Sequence, residues 1–394
     1  MIQAKSILTL NAGSSSIKFA LFGTDGGLSL QLQGEIENLE ASPHLQVLDP
    51  SGAIISERRW AAADAPSFAG VLDVLLELTN AHLGSSELVA IGHRVVHGGD
   101  AHIEPAIVTP DLLLAFDKLI PLDPLHLPHN LAPIHAIAAA RPALTQVTCF
   151  DTAFHHTMPS EATALAVPKT ITDAGVRRFG FHGLSYEYIS GELRLEAPGL
   201  ASGRVIVAHL GSGASLCALE NGRSIATTMG FSTLDGLVMS TRCGSLDPGV
   251  IFYLARLGHS LPDIEDMLYR HSGLLGVSGI NGDIRLLLAS DDPNARRAID
   301  LFTYRIACEI GGLVSALGGL DGLIFTAGIG QHSAEIRAGV CHRLAWLGVK
   351  LDPVLNASGA TCISAKESRI DIRVMPTDEE LMIARHTQAS LLSA

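Results

Sequence analysis

The feature that most constrains this 394-residue chain is a pattern it contains twice. "ILTLNAGSSSIKFALFGTDGGLSLQL", residues 7–32, runs from an apolar strand through a Gly/Ser cluster into a second strand and a glycine turn. "RVIVAHLGSGASLCALENGRSIAT", residues 204–227, repeats that order and spacing. In both, the first strand ends in a polar residue, Asn11 or His209. Apolar runs punctuated by glycine predict strands joined by tight turns. Two such sets predict a duplicated βββ unit. A chain of this length exceeds one ordinary core, so two domains are expected, one per repeat.

The segments between and after the repeats supply helices. Strands are expected at 6–10, 16–23, 29–38 and 53–60, a helix at 67–81, and an apolar strand at "LVAIGHRVV". The four prolines of "IPLDPLHLPHNLAP", 120–133, predict an ordered irregular loop. Helices at about 247–257, 261–271, 293–317 and 332–346 alternate with the strand "GLIFTAG" at 322–328, which argues for α/β layers. The last helix is expected to start at "PTDEELMIARHT", with Thr377 as its cap and Glu380 at the third helical position.

Hydrophobic residues make up 47% of the chain and charged residues 17%, enough for well-buried cores. The net charge of -13 argues against nucleic acid or anionic membrane as a partner, since both bind basic surfaces. The six cysteines form no CxxC pair, so reduced thiols in a cytoplasmic protein are expected. The N-terminus lacks a signal peptide's apolar segment, and "IGGLVSALGGL", between Glu309 and Asp321, is too short to span a bilayer.

A turn of small residues lets backbone N–H groups converge on a phosphate. For either Gly/Ser loop taken singly, a plain hairpin connection is the favoured reading. The chain has no GxxxxGK[ST], and "GSGAS" lacks the GxGxxG spacing, which disfavours P-loop and dinucleotide readings. "FTAGIGQHSAEIR" runs a buried strand into Gly328 and Gly330, with Ser333 placed to cap a following helix, as at the ligand-binding ends of open α/β sheets. Arg94, His182 and Arg242 each sit beside glycine in "GHRVVHGG", "RFGFHGLSYEY" and "MSTRCGSLDPG", consistent with an anion site. His155–His156 and His126-x-x-His129 lack zinc-site spacing. Asp151 reads either as a catalytic carboxylate or as a loop cap, and Asp283 and Arg285 of "SGINGDIR" as a helix start.

Taken together, "LTLNAGSSSIKF", "GHRVVHGG", "FDTAFHHTMP", "RFGFHGLSYEY", "AHLGSGAS", "GLVMSTRCGSLDPG", "FTAGIG" and "PTDEELMIAR" resemble the acetokinase family, relatives of the actin, Hsp70 and sugar kinase fold. The resemblance implies two actin-like (ribonuclease H-like) domains with a duplicated βββαβαβα core and an interdomain cleft. It places residues 1–152 with 381–394 in the first domain and 153–380 in a nucleotide-binding second. It implies ATP/ADP as cosubstrate, Mg²⁺ (or Mn²⁺) as metal, a small carboxylic acid as acceptor and a homodimer.

By matching motif positions, Asn11 and Glu379 are the implied metal-site residues. Ser14, Ser16 and Lys18 would form the first phosphate loop, and His209, Leu210, Gly211, Ser212 and Gly213 the second. Asp283, Arg285, Gly328, Ile329, Gly330, Gln331 and His332 would hold the adenosine side. Arg94, Asp151, His182 and Arg242 match catalytic and acid-binding positions, with Val96, Leu125, His126 and Phe181 around the acyl group. The chain departs from the family pattern at Leu127, Gln331, His332 and Thr233, the last replacing a proline that borders the acyl pocket in many relatives. The implied reaction is reversible phosphorylation of acetate. Alternatives are a propionate or butyrate kinase with the same residues, or a noncatalytic actin-like ATP-binding protein.

Overall fold

The computed structural model describes residues 4–13, 15–39 and 41–393; Ser14, placed above in the first phosphate loop, lies outside them. The chain forms two compact units, Met1–Ala153 with Asp378–Ala394, and Phe154–Thr377. Glu379 therefore belongs with the first.

The first unit carries strands β1 (Lys5–Ala12), β2 (Ser16–Gly23), β3 (Ser29–Glu37), β4 (His44–Leu48), β5 (Ile54–Arg59), β6 (Glu87–Val95), β7 (Ala106–Ile107) and β8 (Thr145–Phe150). They form one sheet in the order β5-β4-β3-β2-β1-β6-β8-β7. The second unit carries β9 (Arg204–Leu210), β10 (Ala214–Glu220), β11 (Arg223–Thr227), β12 (Gly322–Thr326) and β13 (Asp371–Val374), ordered β11-β10-β9-β12-β13. Within the larger sheet, β3-β2-β1-β6-β8 repeats the smaller one. In each, three antiparallel strands come first, and two later strands then add in parallel beside the first of them. This is the duplicated unit expected from the two repeats.

Both faces of the first sheet are covered. Helix α1 (Phe68–His82) turns Val71, Leu72, Leu75 and Leu76 onto a face built from Leu8, Leu10, Ile17, Phe19 and Ile91. That i, i+1, i+4, i+5 spacing is one helical stripe. Helix α2 (Leu127–Ala140) adds Ile137 to the same core. The opposite face takes the terminal helix α6 (Glu379–Ser393) against Ala20 and Phe22. In the second unit, α3 (Gly183–Glu196) packs Tyr186, Ile189 and Leu193 on Val205, Val207, Cys217 and Ile324. The long helix α4 (Pro293–Leu317) lies against β10, and α5 (Ala334–Arg343) follows β12, its first turn capped by Ser333 as expected. Among the described residues, no helix is long and apolar enough to cross a membrane.

Three local expectations fail. The proline-rich 120–133 segment is not irregular throughout, because α2 begins at Leu127. Pro128 falls in its first turn, where a missing N–H breaks no helical bond. The strand expected over 322–328 ends at Thr326, and Ala327–His332 winds into a short helix entered through a left-handed Ala327, φ +62°. The cap of α6 is Asp378, not Thr377: the Leu381 N–H donates to Asp378 Oδ1 at 2.8 Å. Glu380 thus sits second in the helix.

Candidate active site

In the first unit, strand register assembles the charged residues. Asn11 pairs with Lys18 across β1 and β2, Leu10 with His93 across β1 and β6, and Arg94 with Cys149 across β6 and β8. Neighbours in register share a face, so Lys18, Asn11 and Arg94 form one row. Asp151, two residues past Cys149, extends it. Helix α6 covers this face, and its first residue, Glu379, accepts a hydrogen bond from Asn11 Nδ2 at 3.1 Å. Arg94 donates through Nε (2.9 Å) and Nη2 to Asp151 Oδ2, and through Nη1 to Asn11 Oδ1 at 3.2 Å. Of its five N–H groups, one on each terminal nitrogen remains without a partner among the described residues, a pair suited to a second carboxylate.

Charge within this row is finely opposed. Burial works against the Arg94 cation, but Asp151 and then Glu379 outweigh it and raise its pKa. Asp151 is 1% exposed and Arg94 19%. Burial, followed by the neighbouring Glu379 charge, pushes the Glu380 carboxyl up to about 7, and its Oε1 is buried with no hydrogen-bond partner among the described residues. The first small-residue loop closes with the Gly13 N–H donating to Ser16 O at 2.7 Å. Val96 is buried and its N–H donates to Asn130 Oδ1, while Leu125 is half-buried. His126 Nδ1 lies 2.8 Å from Asp123 Oδ1. Leu127 is fully buried.

In the second unit, His182 caps the start of α3 in a left-handed conformation, φ +60°. Its ring stacks on His209, centroids 4.2 Å apart. His182 Nδ1 lies 2.8 Å from Ser215 Oγ, and His209 Nδ1 lies 2.8 Å from Ser185 Oγ. Arg242 donates from Nη1 to Thr233 O at 2.9 Å. A Cβ on Gly213 would stand 3.4 Å from His182 Nε2 and 3.7 Å from Arg242 Nη2. The two side chains therefore converge on the space over this glycine. Phe181 is buried, and its carbonyl accepts from His155 Nε2 at 3.0 Å. Burial holds His155 near pKa 4, so it is a neutral donor at pH 7.

A cavity of about 820 Å³ opens in this unit, lined by Gly211, Ser212, Asp283, Arg285, Gly328, Ile329 and His332 among others. These seven were all assigned from sequence to nucleotide binding. His209, Leu210, Gly213, Gly330 and Gln331 do not line it. Gly330 and Gln331 are instead tied down through their carbonyls by buried Arg337, whose Nη1 donates to both. Asp283 caps the short helix Ile284–Leu288, and Arg285 folds back onto it at 2.6 Å. That contact, with its hydrogen bonds, lowers the Asp283 pKa.

Sequence reasoning missed several residues. Ser240, Gly282, Ile284, Leu288, Ala334 and Glu335 also line the cavity. Gly282, inside the quoted "SGINGDIR", offered a signal, since a Cβ there would press on Ser240 O at 2.8 Å. Asp123, Arg337, Tyr186 and Ser215 carried none, because their importance lies in contacts remote in sequence.

Residues 6–385 match the model of the acetokinase family. An acetate kinase of Rhodopseudomonas palustris (strain TIE-1) is 53% identical over 390 residues, covering 96% of this chain and 97% of that relative. A propionate kinase from Francisella tularensis subsp. tularensis SCHU S4 has a similar structure, with TM-score 0.90, 37% identity and coverage of 98% and 99%. The acetate kinase of Porphyromonas gingivalis gives 0.85 and 34%, over 98% of this chain and 100% of that one. The chain belongs to the acetokinase family.

Proposed function

We propose that this chain is an acetate kinase, transferring the γ-phosphoryl group of ATP reversibly to acetate. The observation that carries the reading is Arg94, oriented by Asp151 and Asn11 with one N–H spare on each terminal nitrogen. Acetate is ionised at neutral pH and needs no base. One carboxylate oxygen attacks the γ-phosphorus as the bond to the bridging oxygen breaks, and ADP departs with that electron pair. The residues have to align two anions and spread charge.

Arg94 grips the acetate carboxylate, and Asp151 orients Arg94 rather than accepting a proton. His182 and Arg242, converging over Gly213, face the oxygens of the transferring group. The 820 Å³ cavity takes the adenosine portion, with Asp283, Arg285, Gly328, Ile329 and His332 on its wall. Gly330 and Gln331 shape it from behind. Ser14, Ser16 and Lys18 in one unit, and His209 to Gly213 in the other, bind the phosphates. Val96, Leu125, His126 and Phe181 surround the methyl group.

Mg²⁺, or Mn²⁺ in its place, would be held by Asn11 and Glu379. The unpaired Glu380 oxygen beside Glu379 marks a site short of positive charge, and hard oxygen donors suit this ion. Among the described residues, no three His, Cys, Asp or Glu side chains group as a metal site. When bound, the metal supplies charge neutralisation on the β- and γ-phosphate oxygens.

A cytoplasmic location is supported by six free cysteines. Self-association as a homodimer is supported by an exposed apolar run of Phe252, Tyr253, Leu257 and Leu261. The second acceptor to weigh is propionate, the acid named for the structurally similar Francisella tularensis kinase. One methylene changes selectivity by only about 1–3 kcal/mol. Kinetics on C2 to C4 acids, with hydroxylamine trapping the acyl phosphate, decides between them. Acetate should give the highest kcat/KM, and a clear preference for propionate overturns the named acceptor.

A further inference from the structure

We propose that Tyr186 and Ser215 form a two-hydroxyl relay that fixes His182 as the neutral tautomer with its proton on Nε2. The proposal rests on the reading above only for what that Nε2–H then meets. The relay itself is a matter of hydrogen-bond counting in one unit.

Tyr186 lies one turn along α3 from His182 and is fully buried. Its hydroxyl stands 2.5 Å from Ser215 Oγ, its one hydrogen-bond partner among the described residues. Burial raises the phenol pKa well above its ordinary value, so the proton stays on. That proton has one place to go, the Ser215 oxygen. Ser215 then has its own proton to give, and His182 Nδ1 lies 2.8 Å away. A ring nitrogen that accepts is unprotonated, so the neutral ring carries its proton on Nε2.

Reversing the direction leaves a group unsatisfied. If Nδ1–H donated to Ser215, the serine proton would turn back to the phenol oxygen. The phenol proton would then sit unbonded in the core of Tyr186, Val205 and Val207. A buried unmade hydrogen bond of this kind is strongly disfavoured. A doubly protonated ring would likewise strand the serine proton. The chain direction of the relay is therefore set at its buried end.

The backbone is held separately from the ring. His182 adopts a left-handed conformation that a histidine rarely takes. Its carbonyl accepts from the Tyr186 N–H at 3.1 Å, and the preceding carbonyl, of Phe181, accepts from His155. Gly180, φ +77°, leaves room for that ring, since a Cβ there would stand 2.7 Å from His155 Cδ2. With both fixed, Nε2 is delivered to the space over Gly213, beside Arg242. Tyr186 and Ser215 are positioning residues, acting on the reaction through His182.

The test is ¹⁵N NMR of the histidine rings in the full-length protein, with His182 assigned by loss of its signals in His182→Gln. Wild type should show a protonated Nε2 and an acceptor-type Nδ1 at pH 7. Ser215→Ala should mix the two tautomers and lower kcat roughly tenfold with the nucleotide KM unchanged, while Tyr186→Phe does the same more weakly. Ser215→Thr, which keeps the hydroxyl, should restore both readouts. A protonated Nδ1 in wild type overturns the proposal, as does an unchanged His182 spectrum in Ser215→Ala. If the spectra behave as stated but His182→Gln keeps full turnover, the relay stands and the catalytic role of His182 falls.

Discussion

The two sheets share a strand order but differ in what lies past their strand ends. In the first unit, Asn11, Arg94 and Asp151 crowd under the start of α6, tied by hydrogen bonds to each other and to Glu379. In the second, the ends of β9 and β12 lead into the glycine loop Gly211–Gly213 and the Ala327–His332 helix, and an open cavity follows. The cause is local. On β6, Gly92 lets α6 lie close over the strand ends. On β12, the left-handed Ala327 turns the chain aside at once. The shared scaffold fixes where the strand ends gather, and under the proposed function the residues after each strand fix which ligand is taken: a small anion in one unit, a nucleoside in the other.

The most forceful way to break this division is Arg94→Ala. If Arg94 holds the acceptor and stabilises transition-state charge, kcat/KM for acetate should fall by about 10³–10⁵. Nucleotide binding, which the proposed function gives to the second unit's cavity and to phosphate loops that do not include Arg94, should be unchanged by calorimetry with ADP. A nucleotide Kd that weakens in step with turnover would show that the two roles are not separate. Asp151→Asn should lose part of the same rate, since it disturbs the orientation of Arg94 and leaves the cation in place.

The sequence exposed this division unevenly. The repeated strand–turn–strand pattern announced the duplicated sheet because glycine and alternation are local signals. The residues Gly211, Ser212 and Gly328 were legible for the same reason, as backbone-lined loops need small residues at fixed spacing, whereas Ile329 came only through the family resemblance. Asp123, Arg337, Tyr186 and Ser215 were not legible. Asp123 reads as one more loop residue, and Arg337, inside α5, as a surface arginine until Asn356, 19 residues on, is seen to take its Nε at 2.7 Å. The α2 start was misread because Pro128 and Pro133 signal a break in any window that lacks the tertiary context covering Ile134 and Ile137.

Acid should separate the units next. Burial pushes His93 and His97 of the first unit, and His155 of the second, down to about 4 from 6.5. Below pH 6.5 the unfolded chain takes up protons that the folded one refuses, so stability falls from there to about pH 4 and then levels. Each fully developed shift is worth about 3 kcal/mol. In the first unit Glu380 works the other way: burial holds its carboxyl up to about 7, so the folded chain takes up that proton before the unfolded one does, and this offsets about one of the two histidines. Glu380→Gln removes the offset, and in that variant the first unit should lose about twice as much as the second. Hydrogen exchange followed unit by unit from pH 7 to 4.5 measures this. His93→Leu should flatten the first unit's slope, and earlier opening of the second unit in Glu380→Gln would count against the account.

The smallest effect probes the cause assigned to the difference itself. A methyl group on Gly92 would overlap Thr387 Oγ1 and stand 2.6 Å from Ile383 Cγ2, both on α6. Overpacking of this order costs roughly 1–3 kcal/mol. Because α6 also carries Glu379, Gly92→Ala should shift that residue off Asn11 and lower activity beyond the loss of stability. The double variant Gly92→Ala with Thr387→Ala removes the hydroxyl that the new methyl meets and should recover much of the urea midpoint. If Gly92→Ala were as stable and active as wild type, close approach of α6 would not be what shapes the first site. The contrast with β12 would then have to come from the strand ends alone.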